Sequence, residues 1–213
     1  MQRIGFNDTY GLTAAVIEGR KNMTRRICKD HALGCEILAS EVLSMRFNAD
    51  DNVVEFLMNN GGVATSVPKY RRGEIVAVAQ PYKDLDYSLK GFATNPDRTC
   101  GIRREFAQKQ AGWNNKMFVS AKFMPHYIRI TDVRVERLQD ISEEDCLLEG
   151  VVRRKEMHPR QEWEPEYTFG DGKYHAQNPR AAFAALIDKP GVGGKGTWER
   201  NPWCVAYTFK LNN

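Results

Sequence analysis

One stretch constrains the fold more than any other. YIRITDVRVERL, in which Ile128 and Ile130 alternate with charged residues, runs within a few positions into SEEDCLLEG. A two-residue alternation is the mark of a strand with one buried face. Ser142 followed by Glu143, Glu144 and Asp145 is then an N-cap with an acidic first turn; Leu147 and Leu148 supply the apolar face, and Gly150 stops the helix. Other elements are separated in the same way. Asn7 to Glu18 carries Leu12, Ala15 and Val16 at helical spacing, with Asn7, Asp8 or Thr9 available as N-cap and Gly19 as left-handed C-cap. EIVAVAQ, after the Arg71–Gly73 turn and before Pro81, is a buried strand, and Lys116 to Ala121 is strand-like through Phe118 and Val119. Asn178 and Pro179 open a helix whose buried side holds Phe183, Leu186 and Ile187, and WCVAYTFKL is a further strand. ILASEVLSM fits helix and strand equally well.

Few long helices, several separated strands and no regular βα alternation point to an α+β fold with a small twisted barrel or sheet, not to a doubly wound parallel sheet. The 213 residues suit one domain spanning 1–213. Two stretches lack either periodicity and are expected to be insertions: 82–115, polar and rich in Gly and Asn, and 153–177, rich in charge, aromatics, Pro and Gly. GVGGKGT near Gly191 has the residues of a phosphate loop but neither its spacing nor a strand before it, so a mobile turn is expected.

At 42% hydrophobic and 27% charged residues the chain has a globular composition, and its net charge of +4 confines any nucleic-acid site to a local patch. No apolar run approaches the ~20 residues of a membrane helix, and MQRIGFNDTYGL lacks the core of a signal peptide, so a cytoplasmic protein without membrane contact is expected. Cys28, Cys35, Cys100, Cys146 and Cys204 are odd in number and lack metal spacing; reduced buried thiols are the expectation. The histidines, 31, 126, 158 and 175, are dispersed, so neither a metal nor a cofactor is expected.

The densest polar cluster is GRKNMTRR, Gly19 to Arg26. A solvated basic helix end explains it plainly. The chemical alternative is that Lys21, crowded by Arg20, Arg25 and Arg26, has a lowered pKa and acts as a base toward the Thr24 hydroxyl. A continuous strand would send Lys21 and Thr24 to opposite faces, so their meeting needs a turn or helical end. Arg25 and Arg26 could hold phosphate, and Trp203 at the head of the last strand could stack on a base or belong to the core.

Together GRKNMTRRI, RRGEIVAV, ITDVRVERLQDISEEDCLLEGV and NPWCVAYTFKL resemble the ASCH family of PUA-like fold, in its phage and prophage versions. The resemblance implies a small β-barrel with flanking helices and a cleft for RNA, a nucleotide or a modified base, so a nucleic-acid or modified-nucleotide binding protein is the first expectation. Family members with a GRKxxTxR motif include amidohydrolases that deacetylate N4-acetylcytidine. Carried onto this chain, the resemblance makes Thr24 the nucleophile, Lys21 its activating base, and Glu149 the group that positions substrate or shuttles a proton. Arg20, Arg25 and Arg26 of the same segment, with Trp203, complete the ligand-binding candidates. Asn22 departs from the threonine common after the lysine. A third expectation is an accessory protein of a phage or mobile element whose cleft makes only protein contacts.

Overall fold

The computed structural model describes residues 1–154, 167–170, 172 and 174–212. Most of the expected 153–177 insertion, with His158, lies outside the described residues. In chain order the first part holds β1 (Arg3–Ile4), α1 (Leu12–Ile17), β2 (Met23–Ile27), β3 (Val42–Asn48), β4 (Val53–Met58), β5 (Val63–Ser66) and β6 (Ile75–Val78). Then follow β7 (Phe92–Thr94), β8 (Gly101–Arg103), α2 (Arg104–Ala107), β9 (Tyr127–Arg137) and α3 (Glu143–Leu148). The last part holds β10 (Val152–Arg153), β11 (Tyr167–Thr168), α4 (Pro179–Ile187), α5 (Thr197–Arg200) and β12 (Trp203–Asn212).

The fold is α+β, mostly sheet. Its centre is a five-stranded sheet in the order β1-β6-β9-β12-β2. The alternating β9 pairs antiparallel with the apolar β12 along its whole length, with a register shift between Thr208 and Phe209. That continuous apolar run suits β12 to a place between two neighbours, where residues 203–207 are all buried. β1 and β2 are the edges, and no closed barrel forms among the described residues. β1 joins β6 in parallel, pairing Arg3 with Ala77, which brings the start of the chain beside a segment more than seventy residues away. β3, β4 and β5 form a separate antiparallel sheet that buries Val54 and Phe56 on one face and leaves Leu43 exposed on the other. No helix among the described residues is long and apolar enough to cross a membrane.

The buried apolar residues among those described gather in three clusters. Ile4, Phe56, Ile128, Tyr207 and Phe209 belong to the main one, and Leu138, Ile141, Cys146 and Phe183 to one between α3 and α4. The third corrects the picture of 82–115 as irregular, because Tyr82, Leu85, Ala93, Ile102 and Ala107 pack with Val119 and Met124. The segment carries the β7–β8 hairpin and α2, and its own small core explains how it holds a shape.

Three local expectations need correction. Residues 116–121 are no strand: Lys116–Phe118 and Ala121–Phe123 are 3-10 turns, the first capped by the Asn115 side chain accepting from the Met117 amide, with Phe118 63% exposed. α1 starts later than expected, after Gly11 at φ 64°, because residues 8–11 form a turn and Asp8 instead accepts from the Thr13 hydroxyl at 2.5 Å. In α3 the buried residue is Cys146, while Leu147 is exposed. The caps at Ser142 and Asn178 fall where the sequence places them, accepting from the Asp145 and Ala181 amides.

Candidate functional site

α1 ends on Gly19 at φ 73°, a conformation glycine adopts without strain, and the amides of Arg20 and Lys21 both donate to the Ala15 carbonyl. The chain is then fixed on both sides. The Asn22 amide donates to Leu148 at the end of α3, and the Asn22 carbonyl accepts from Phe209 of β12. This turn ahead of β2 is the break from strand geometry that Lys21 and Thr24 need in order to share a cavity.

Lys21 reaches the C-terminal end of α3. Its Nζ donates to the Glu149 carbonyl at 2.7 Å and to Glu149 Oε2 at 2.6 Å, a cation placed where the helix dipole is negative. Gly150, at φ 103°, lies against the lysine stem; a Cβ there would meet Lys21 Cδ at 3.5 Å. Arg25 holds the other side of the carboxylate, with Nη1 3.1 Å from Glu149 Oε1. It also donates to Glu136 Oε1, at 2.9 and 2.5 Å, to the Met23 sulfur at 3.2 Å, and to Asp145 Oδ2 at 2.8 Å, which also accepts from Arg134 at 2.8 Å.

The Lys21 and Arg25 side chains are 2% and 1% exposed. Burying such charges costs several kcal/mol unless each is paired and hydrogen-bonded, and here each is. Burial drives the Lys21 ammonium below its ordinary range; Glu149 opposes this, and Arg26 and Arg25 add to it. Burial pulls Arg25 down as well, but Glu149 and Glu136 outweigh it and hold the guanidinium above its ordinary value.

A cavity of about 630 Å³ opens on this network. Lys21, Thr24, Arg25, Arg26 and Glu149 line it together with Phe6 and Leu12, and Phe183, Leu186 and Ile187 of α4 form an apolar wall. Thr24 is buried in register with Tyr207 of β12, and its hydroxyl makes no hydrogen bond to any described residue. Arg26 is exposed and donates to the Gly5 carbonyl at 2.7 Å.

The structure thus brings Lys21, Thr24, Glu149, Arg25 and Arg26 to one place. It does not bring Arg20, which is exposed and pairs with Glu18 at 2.5 Å, nor Trp203, which is 9% exposed and packs on Phe56 with ring centroids 5.5 Å apart. Arg25 lines the cavity, but its donors are committed to three carboxylates, so its visible work is to hold Glu149 in place.

Lys116 and its partner Asp8 line the cavity, and neither is read from the sequence as a site residue. Lys116 Nζ pairs with Asp8 Oδ2 at 2.7 Å and also bonds the Phe6 carbonyl and the Thr13 hydroxyl, bringing the 82–123 region to the cavity edge. No local pattern signals this contact, because its partners lie about a hundred residues apart. Among the described residues no group of His, Cys, Asp and Glu could hold a metal ion. Burial pushes the Cys28 and Cys146 thiols up to about 12, the wrong direction for a nucleophilic thiolate. Comparison with family models, curated proteins and solved structures finds no match to this chain.

Proposed function

We propose that the chain is an ASCH-type protein with a PUA-like core, and that its cavity binds a modified cytidine, free or in RNA, and hydrolyses an acyl group from the cytosine N4. The observation that carries this reading is the convergence of Lys21, Thr24 and Glu149 on one cavity, with the Thr24 hydroxyl making no hydrogen bond to any described residue. Its volume of about 630 Å³ falls in the range of small-molecule sites, and its mixture of an apolar wall with a few placed polar groups suits a flat, hydrogen-bonding base.

In the first step Thr24 Oγ attacks the acyl carbon and its proton passes to Lys21 Nζ, which burial favours in the neutral form. The carbon–N4 bond then breaks, N4 takes the proton from Lys21, and cytidine leaves. Water attacks the resulting Thr24 ester, giving its proton to Lys21. That proton returns to Thr24 Oγ as the acid is released. Glu149 orients Lys21 throughout, and Arg25 orients Glu149. The test is to incubate N4-acetylcytidine with the protein and follow acetate and cytidine together. Equimolar release by wild type and none by Lys21→Met supports the reading; equal release by both contradicts it.

A second reading, binding without turnover, is favoured by one specific contact. Lys21 already donates to two oxygens of Glu149, at 2.6 and 2.7 Å, which holds its proton in place. An ammonium has three donors, so one would remain for a base carbonyl. The cavity would then recognise a modified base in RNA, with affinity falling as salt rises through the phosphate contacts of Arg26. Binding of N4-acetylcytidine with no acetate release is the result that favours it.

A further inference from the structure

The cavity has a neighbour. A second pocket of about 290 Å³ shares Gly5, Lys116 and Met117 with it and adds Arg3 and Lys69. No acidic side chain among the described residues lines this pocket. The cations around the shared wall are aimed at it by backbone contacts. Arg3 Nη2 donates to the Met117 carbonyl at 2.6 Å and Arg26 Nη2 to the Gly5 carbonyl at 2.7 Å. Tyr70 ties the group together: its hydroxyl donates to the Arg3 carbonyl at 2.9 Å, and Lys69 Nζ lies 5.4 Å from its ring centroid. Burial, with Tyr207 and Glu74, pushes its hydroxyl up to about 12, and Arg26 and Arg3 oppose that rise.

These charges lack what the buried ones have. Arg3, Arg26 and Lys69 form no ion pair with an acidic side chain among the described residues, and Lys116 alone is paired, to Asp8. Like charges gathered at the neck of two cavities repel one another, and an anion seated among them relieves that repulsion. Two of the four are guanidinium groups, whose planar fork matches phosphate oxygens.

We propose that the smaller pocket is a phosphate subsite, so that the combined cavity favours a nucleotide monophosphate over a free nucleoside. This rests on the base-binding reading of the larger cavity for the ligand's identity, but the phosphate subsite itself can be tested without it. Lys116 sits between base and phosphate, which makes the 82–123 region part of the substrate-reading surface.

Calorimetric titration of the full chain with cytidine, cytidine 5′-monophosphate and ribose 5-phosphate tests the proposal, with wild type and the double variant Arg3→Ala/Lys69→Ala. Cytidine is a product of the proposed reaction and is not turned over. The monophosphate should bind wild type about tenfold more tightly than cytidine, as expected for one charge-assisted contact, and the double variant should lose that advantage while keeping its affinity for cytidine. Equal affinities in wild type, or a tenfold advantage that survives in the variant, would overturn the subsite. Ribose 5-phosphate separates the two readings. If it binds wild type, fails to bind the variant and matches the monophosphate in affinity, the phosphate subsite stands and the base reading falls. Both substituted side chains are exposed, and a thermal melt of the variant checks that it folds.

Discussion

Around Glu149 the cations Lys21 and Arg25 are almost wholly buried and each meets an acid, whereas around Gly5 the cations Arg3, Arg26 and Lys69 stand exposed and form no ion pair among the described residues. The buried group and Arg26 line the larger cavity, and Arg3 and Lys69 line the smaller one, which shares Gly5, Lys116 and Met117 with it. The difference follows from the cost of desolvation. A buried charge must bring its counterion with it in the sequence, and this chain does so through Glu136, Asp145 and Glu149. An exposed charge is hydrated and needs no partner, so it can wait for one from solution. One end of the cavity is therefore built to hold geometry and the other to attract a ligand.

The comparison breaks most visibly at Arg25. Arg25→Ala leaves Glu136, Asp145 and Glu149 with a cation removed from their midst, and should cost about 3–5 kcal/mol in urea denaturation. The Tm should fall by about 10 °C in a chain of this size. A loss below about 1 kcal/mol would mean that the network is solvated and the contrast false.

Protonation of Lys21 gives a directional test. Its folded pKa lies below the ordinary 10.5, so the unfolded chain binds this proton more tightly. In the pH window immediately below 10.5 unfolding takes up a proton, and stability contributed by this group rises with pH. Urea midpoints for wild type minus Lys21→Met should therefore increase across that window. A decrease would show that the Glu149 contact, and not burial, dominates.

Smaller effects are expected where a group has no partner to lose. Thr24→Val keeps the shape and removes a hydroxyl that bonds to no described residue, so stability should stay within about 1 kcal/mol while turnover disappears. At the other end, Arg3→Ala/Lys69→Ala should leave unfolding free energy within about 0.5 kcal/mol of wild type, as should Arg20→Ala, whose ion pair with Glu18 is exposed. A clear destabilisation by the double variant would give those cations a structural role.

Much of the fold was legible where local chemistry decides the outcome. The caps at Ser142 and Asn178, the alternation in β9 and the apolar run of β12 act over a few residues, and the structure follows them. Residues 116–121 misled because Phe118 and Val119 look alike in a pattern; only Val119 is buried, and Phe118 projects outward from a turn that Asn115 caps. In the site, GRKNMTRR marked a cluster, but the division of labour among its arginines was hidden. Strand alternation puts Arg25 beside Met23, whose sulfur it meets at 3.2 Å, and its acids come from more than a hundred residues away, Glu136 from β9 and Asp145 and Glu149 from α3 and its end. Arg3 and Lys69 were invisible for the same reason. They line one pocket because β1 runs parallel to β6 and Tyr70 bonds the Arg3 carbonyl.

The central claim, that Thr24 is a nucleophile served by Lys21, is tested most directly by acid-quenching the protein during reaction with N4-acetylcytidine and mapping acetyl groups by peptide mass spectrometry. The account predicts an acetyl ester on Thr24 in wild type that is absent from Thr24→Val and Lys21→Met. Full turnover by Thr24→Val, with no acetylated protein, would contradict it.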